Sequence, residues 1–296
     1  MYPYSRRSFL KTGIAAGALA TVGTLPLEAE RQTATGWVTL GKSGVKVTRL
    51  AFGTGTHNGR VQRDLGQEGF NALVMHAYDR GIRFFETAEA YPEMHRMLGI
   101  ALKGIPRENY RLMTKMTTDE GPDVDPVARI EGLLKETQTD YFDIVLLHVQ
   151  QGPEWPEKSR PWQDGILEAE SKQMVLARGA SVHGLPALRQ VPGDEWLQIA
   201  MIRMNHKGAH MDGADPREHI PGDVAEVVEH VKQVRKEDKG VISMKLVGEG
   251  SFTTHEDRRK AMRFAFHHAG VQCVTVGTKS PAEVDEAIEN VNLALA

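Results

Sequence analysis

Apolar positions change their spacing repeatedly along this chain, and the alternation predicts its architecture. Runs rich in Val, Ile, Leu and Phe occupy residues 50–55, 82–87, 111–116, 142–149, 177–183, 198–204, 241–247 and 272–277. Each has the length of a strand and gives way to polar residues. Between them the apolar positions recur every three or four residues, which places them on one face of a helix. Val127, Ile130, Leu133 and Leu134 follow an Asp125-Pro126 start, and Val224, Val227, Val228 and Val231 follow Pro221-Gly222-Asp223. The final helix opens with Ser280-Pro281-Ala282-Glu283, a capping box with Pro at the first helical position. It continues with Val284, Ala287, Ile288 and Val291 on one face. Eight strands separated by helical patterns predict an α/β fold, a (β/α)8 TIM barrel, because parallel strands need a crossover between them.

No change of composition and no Gly/Ser linker divides residues 36–296, which read as one barrel domain behind a distinct segment at 1–35. Two connections are longer than a barrel requires, one over 151–163 with Trp155 and Trp162, the other over 205–221. Both follow the C-terminal ends of strands, where substrate-shaping loops belong. The tryptophans read as apolar anchors in preference to a stacking platform for a sugar.

The same strand ends carry the candidate chemistry. Glu86 and Tyr91 stand in FFETAEAY, Lys115 ends RLMTK, and His148 ends FDIVLLH. A phenol has an ordinary pKa of about 10, which a neighbouring ammonium lowers. Lys115 is therefore expected to lower the pKa of Tyr91, Glu86 to orient Lys115, and His148 to hydrogen-bond a substrate carbonyl. In this order the four resemble the catalytic tetrad of the aldo-keto reductases, usually Asp, Tyr, Lys and His, with Glu86 in the Asp position. The resemblance covers nearly everything from Gly36 to Leu295. WVTLGKSGVKVTRLAFGTG is similar to that family's opening β-hairpin and first strand, and VTVGTKSPAEVDEAIEN to its last strand and helix.

The resemblance implies a nicotinamide-dependent oxidoreductase acting on an aldehyde, ketone or sugar, with Tyr91 as general acid/base. It also implies a cofactor across the barrel mouth, touched by Gly53, Thr54, Ser181, Gly277, Thr278, Lys279 and Ser280. The last four precede a helix N-terminus, whose free N–H groups and partial positive charge suit a phosphate, with a full charge added by Lys279. Where the family commonly has Asn, Gln and an aromatic ring near the nicotinamide, this chain has Val182, Met201 and Met244. Ser181, Asn205 or backbone groups then become the candidates for orienting the carboxamide. The MKLVGEG run makes Lys245 a further cofactor candidate. NADP is the expected cofactor, with NAD as the alternative. Glu283, where NADP-preferring members place an Arg, would repel a 2′-phosphate, and its capping role accounts for it without any ligand.

Composition narrows the picture further. A formal charge of −3 and a pI near 6.5 give no basic field for nucleic acid. One cysteine, Cys273 in VQCVTV, excludes a disulfide framework and any cysteine-rich metal site, and reads as core. The N-terminus differs from the rest. SRRSFLK precedes TGIAAGALATVGTLPL, and this reads as a twin-arginine export signal. Its apolar part is too short for a spanning helix, so no integral membrane domain is expected. The implied partners are the twin-arginine export machinery and a small carbonyl or sugar substrate. The implied location is the periplasm, with a membrane tether if the signal stays uncleaved. That route takes folded cargo, so a tightly held cofactor is expected.

Two other readings stay open. His183, His206, His210, Glu86 and Asp212 would lie near one barrel face and supply ligands to zinc or manganese in a metal-dependent sugar isomerase or epimerase. The assigned set nevertheless contains no metal ligand, because His206 and His210 fall in a loop. The altered nicotinamide positions also suit a non-catalytic nucleotide-binding scaffold, since a fold alone does not establish chemistry.

Overall fold

The structure, a computed structural model, describes residues 32–118, 125–212 and 220–296. The export-signal segment and residues 213–219 of the second long connection lie outside the described residues. Ten strands are described: β1 (Trp37–Thr39), β2 (Lys46–Thr48), β3 (Leu50–Gly53), β4 (Phe84–Glu86), β5 (Arg111–Met116), β6 (Ile144–Gln150), β7 (Arg178–Val182), β8 (Ile199–Arg203), β9 (Gly240–Met244) and β10 (Cys273–Gly277). β3 to β10 form a closed parallel barrel in chain order, with β10 returning to pair with β3. β1 and β2 form a separate antiparallel hairpin.

Alternation along each strand divides the core into two layers. Phe52, Phe85, Leu112, Val145, Leu147, Ala180, Ile202 and Val274 pack outward against the helices. Ala51, Phe84, Met113, Ile144, Leu146, Ile199, Met201, Ile242 and Cys273 fill the barrel interior. Leu40, Val45 and Val47 from the hairpin region join that interior cluster, so the hairpin plugs the bottom of the barrel. Cys273 is fully buried there, as its apolar run implies, and burial pushes its thiol pKa up.

The helices begin where the sequence signals them. Asp125 Oδ1 accepts from Val127 N at 2.9 Å, and Asp223 Oδ1 accepts from Glu226 N at 3.0 Å. In the last helix (Pro281–Leu295), Ser280 Oγ accepts from Glu283 N, and Glu283 Oε2 reaches back to Lys279 N at 2.8 Å. The return arm thus closes one residue earlier than the usual capping box, on the residue before the cap.

One expectation changes. Residues 151–163 are not an open loop: Trp155–Lys158 and Arg160–Ser171 are helical, each with Pro in its first turn. Proline and glycine read as loop punctuation in the sequence, but Pro156 and Pro161 occupy first-turn positions, where a missing N–H costs nothing. Trp155 and Trp162 are buried, and Trp155 Nε1 donates to Ala187 O at 3.1 Å. They anchor the segment.

Candidate active site

Following the inward-facing parity of each strand to its C-terminal end assembles the site. Ala51 leads to Gly53, Phe84 to Glu86, Met113 to Lys115, Leu146 to His148, and Met201 to Arg203. Tyr91 enters from the connection after β4. Glu86 and Lys115 form a buried ion pair, and Lys115 Nζ also donates to Thr87 O at 2.8 Å. Thr275 Oγ1 donates to the other carboxylate oxygen of Glu86 at 3.2 Å. Lys115 Nζ sits 4.9 Å from the centroid of the Tyr91 ring, and the His148 ring stands edge-on to that ring at 5.6 Å. The four sequence candidates therefore meet at one point. His148 is held just before a bulge, where the β6 to β7 register shifts and Val149 adopts φ 55°.

Close packing fixes the phenol. A Cβ on Gly55 would lie 2.5 Å from Tyr91 Oη and 2.7 Å from its Cζ. Only glycine leaves room for the ring in this position. Gln62, fully buried, donates from Nε2 to Gly53 O and to Thr278 O, both at 2.9 Å, and so ties the first and last barrel strands together at the mouth.

The electrostatics reverse one expectation. The pKa of Tyr91 is not lowered but held well above 10, first by burial and then by the Glu86 carboxylate, with Arg203 pulling the other way. Lys115 does not achieve the expected shift because its charge is matched by Glu86. Its own pKa is lowered by burial against the opposing pull of that carboxylate. His148 lies well below the ordinary imidazole value through burial and the Lys115, Lys245 and Arg203 charges, and is neutral at pH 7. His183 is likewise low, through burial and then Arg203. Arg203, 3 % exposed, is brought to about 10 by burial, and Lys245 to about 8 by burial and then by Arg203. The sequence reading passed over Arg203 and Gln62. The parity rule that finds Lys115 also finds Arg203, two residues beyond Met201.

Of the cofactor candidates, Gly53, Lys245, Gly277, Thr278 and Lys279 line a cavity of about 540 Å³ together with Glu86 and Tyr91. Lys245 pairs with Glu249 on its rim. Thr278 Oγ1 is buried with no partner among the described residues, which leaves it able to bond a ligand atom, while Thr56 Oγ1 fills the space beside Gly277. The other four lie off that wall. Asn205 spends its amide within the protein, accepting from Lys207 N and Ala209 N and donating to Ala209 O and Lys245 O. Thr54 Oγ1 donates to Glu86 O, Ser181 Oγ meets His183 Nε2 at 3.0 Å, and Ser280 caps its helix. Met201 and Met244 do line the cavity. Among the described residues no group of three or more His, Cys, Asp or Glu converges to hold a metal ion. His206 instead faces Asp257 at 3.7 Å and the ring of Phe252.

Residues 49–262 match the profile described as the aldo/keto reductase family. The chain belongs to this family. Residues 3–23 match the twin-arginine translocation pathway signal sequence. An uncharacterized oxidoreductase of Caenorhabditis elegans is 30 % identical over 169 residues, covering 54 % of this chain and 47 % of that protein. Methylglyoxal reductase DkgB of Escherichia coli O157:H7 is 25 % identical over 146 residues, 47 % of this chain and 50 % of its own. The chain spans half or less of the length of these curated relatives. Among solved structures, the protein PA4992 of Pseudomonas aeruginosa superposes with a TM-score of 0.70 at 19 % identity, covering 90 % of this chain and 99 % of its own. An aldo-keto reductase of Klebsiella pneumoniae in complex with NADPH gives 0.65 at 15 % identity, with 88 % and 90 % covered. These two likenesses establish the family's fold for this chain. Among the described residues no helix is long and apolar enough to cross a membrane.

Proposed function

We propose that this chain is a nicotinamide-dependent oxidoreductase that reduces the carbonyl group of an aldehyde, ketone or sugar, with Tyr91 as the proton donor. The observation that carries this reading is the Tyr91 phenol on the wall of the large cavity, packed against Lys115 and His148. When bound, reduced nicotinamide supplies the hydride. Gly53, Lys245, Gly277, Thr278 and Lys279 are the residues that would hold it. The raised pKa keeps Tyr91 in its protonated form at neutral pH, so the phenol holds the proton that the carbonyl oxygen takes. Neutral His148 donates a hydrogen bond to the same oxygen, and the Arg203 charge stabilises the phenolate left behind. Hydride on carbon and proton on oxygen together balance the reduction.

NADP is the proposed cofactor. The Glu283 carboxylate is engaged with Lys279 N and that of Glu286 with Arg258, while Lys279 lines the cavity. The leader at residues 3–23 supports export of the folded protein to the periplasm with its cofactor already bound.

The test follows reduced nicotinamide at 340 nm across a panel of aldehydes and keto-sugars, with NADPH and NADH binding titrated by fluorescence. Tyr91→Phe is expected to bind cofactor normally and to lose about 10²-fold or more in turnover. A variant as fast as wild type removes the proton-donor role. A wild type that binds no nicotinamide removes the function.

A further inference from the structure

One buried cation at the mouth keeps two nitrogens without a partner among the described residues. Arg203 ends β8 on the inward face, and a guanidinium stays charged at physiological pH. Burying such a group without hydrogen bonds is among the costliest placements available to a side chain. Its Nε and Nη1 are nevertheless buried and meet no acceptor. Asp212 is near enough to favour the charged form, yet neither nitrogen bonds to it. Arg107, by contrast, places its nitrogens on Thr139 Oγ1, Tyr110 O, Tyr141 O and Asp143 Oδ2.

The neighbours show which way the guanidinium faces. Arg203 lies in register with Met244 and two residues beyond Met201, both of which line the cavity with Tyr91 and Lys245, and its charge acts on Tyr91, His148, His183 and Lys245. There Lys115 is matched by Glu86 and Lys245 by Glu249, and both imidazoles are neutral. Each imidazole also keeps a buried Nδ1 without a partner. Among the described residues, the positive charge left over beside Tyr91 is that of Arg203.

We propose that Arg203, with Lys245 beside it, forms a carboxylate-binding subsite next to Tyr91, and that the preferred substrates are carbonyl compounds bearing a carboxylate, such as aldehyde acids and keto acids. The carbonyl half of this statement rests on the reductase reading above; the anion half does not. A carboxylate is a small planar anion whose two oxygens match the guanidinium, whereas sugar hydroxyls would satisfy its donors and leave its charge unmatched.

The test compares matched substrates on the full chain with cofactor: succinic semialdehyde against butanal, and 4-carboxybenzaldehyde against benzaldehyde. Wild type is expected to favour the acid of each pair by about tenfold or more in kcat/KM. Arg203→Met is expected to erase that ratio, mainly through KM, and Arg203→Lys to retain part of it. Succinate, which cannot be reduced, is expected to raise the melting temperature of wild type and not of Arg203→Met. Equal kcat/KM within each wild-type pair, together with no protection by succinate, overturns the subsite and leaves the reductase reading intact. That comparison decides the matter even where Arg203→Met fails to fold. Turnover of no aldehyde, with succinate still protecting wild type alone, overturns the reductase reading and upholds the subsite. Glyceraldehyde 3-phosphate favoured over every carboxylate overturns the choice of anion.

Discussion

Glu86 is one methylene longer than an aspartate, and the barrel makes room for it at position 53. A Cβ there would lie 3.0 Å from Glu86 Oε2 and 2.7 Å from Thr275 Oγ1, so the glycine and the longer acid belong together. Removing the charge while keeping the volume, with Glu86→Gln, leaves the buried Lys115 ammonium with neutral acceptors only, Thr87 O and the new amide oxygen. We expect a loss of about 3 kcal/mol in urea unfolding and a fall in turnover of about tenfold or more. Turnover within about twofold of wild type would show the ion pair to be structural only. At this scale the sequence disclosed residue types better than their environments. Order and spacing picked out Glu86, Tyr91, Lys115 and His148, but the direction of the Tyr91 shift depends on burial, which one residue's neighbours in sequence do not report. Asn205 resembles a cofactor ligand by position, yet its amide is consumed by a turn that only the folded backbone defines.

The connection from β3 into the mouth works by omission of side chains. Gly55→Ala would push the Tyr91 phenol from its place, since contacts of 2.5 and 2.7 Å cannot be kept. A displacement approaching 1 Å at a reacting group costs up to about 10²-fold in rate, so we expect a fall of about tenfold or more in kcat with little change in melting temperature. A melting temperature that drops while the kcat of the folded fraction holds would place the strain in the backbone instead. Strands and capped helices were the most legible elements, because alternation, Asp or Ser caps and first-turn prolines act locally. The helices around Trp155 and Trp162 were not. Their prolines signal both a loop and a helix start, and burial of the two indoles decides between them.

For the molecule as a whole, eight strand-like runs separated by helical patterns sufficed to specify the closed barrel, since parallel strands with crossovers have few other ways to close. The leader is an address separate from that architecture. Replacing Arg6 and Arg7 with lysines is expected to hold the protein in the cytoplasm of a host competent in this pathway, as read by fractionation and blotting. Unchanged export would show that another signal carries it. The closure itself bears on how the molecule is made. β10 pairs with β3, Gly277 lies in register with Gly53, and Ala34 N donates to Asn292 Oδ1 across 258 positions. A ribosome therefore releases the export address before any barrel strand, and the strand that completes the barrel after the other seven. A nascent chain already carries its destination while the part of the cavity wall that runs from Thr275 to Asn290 does not yet exist. Any check that only folded cargo departs must wait for the final strand and helix to emerge.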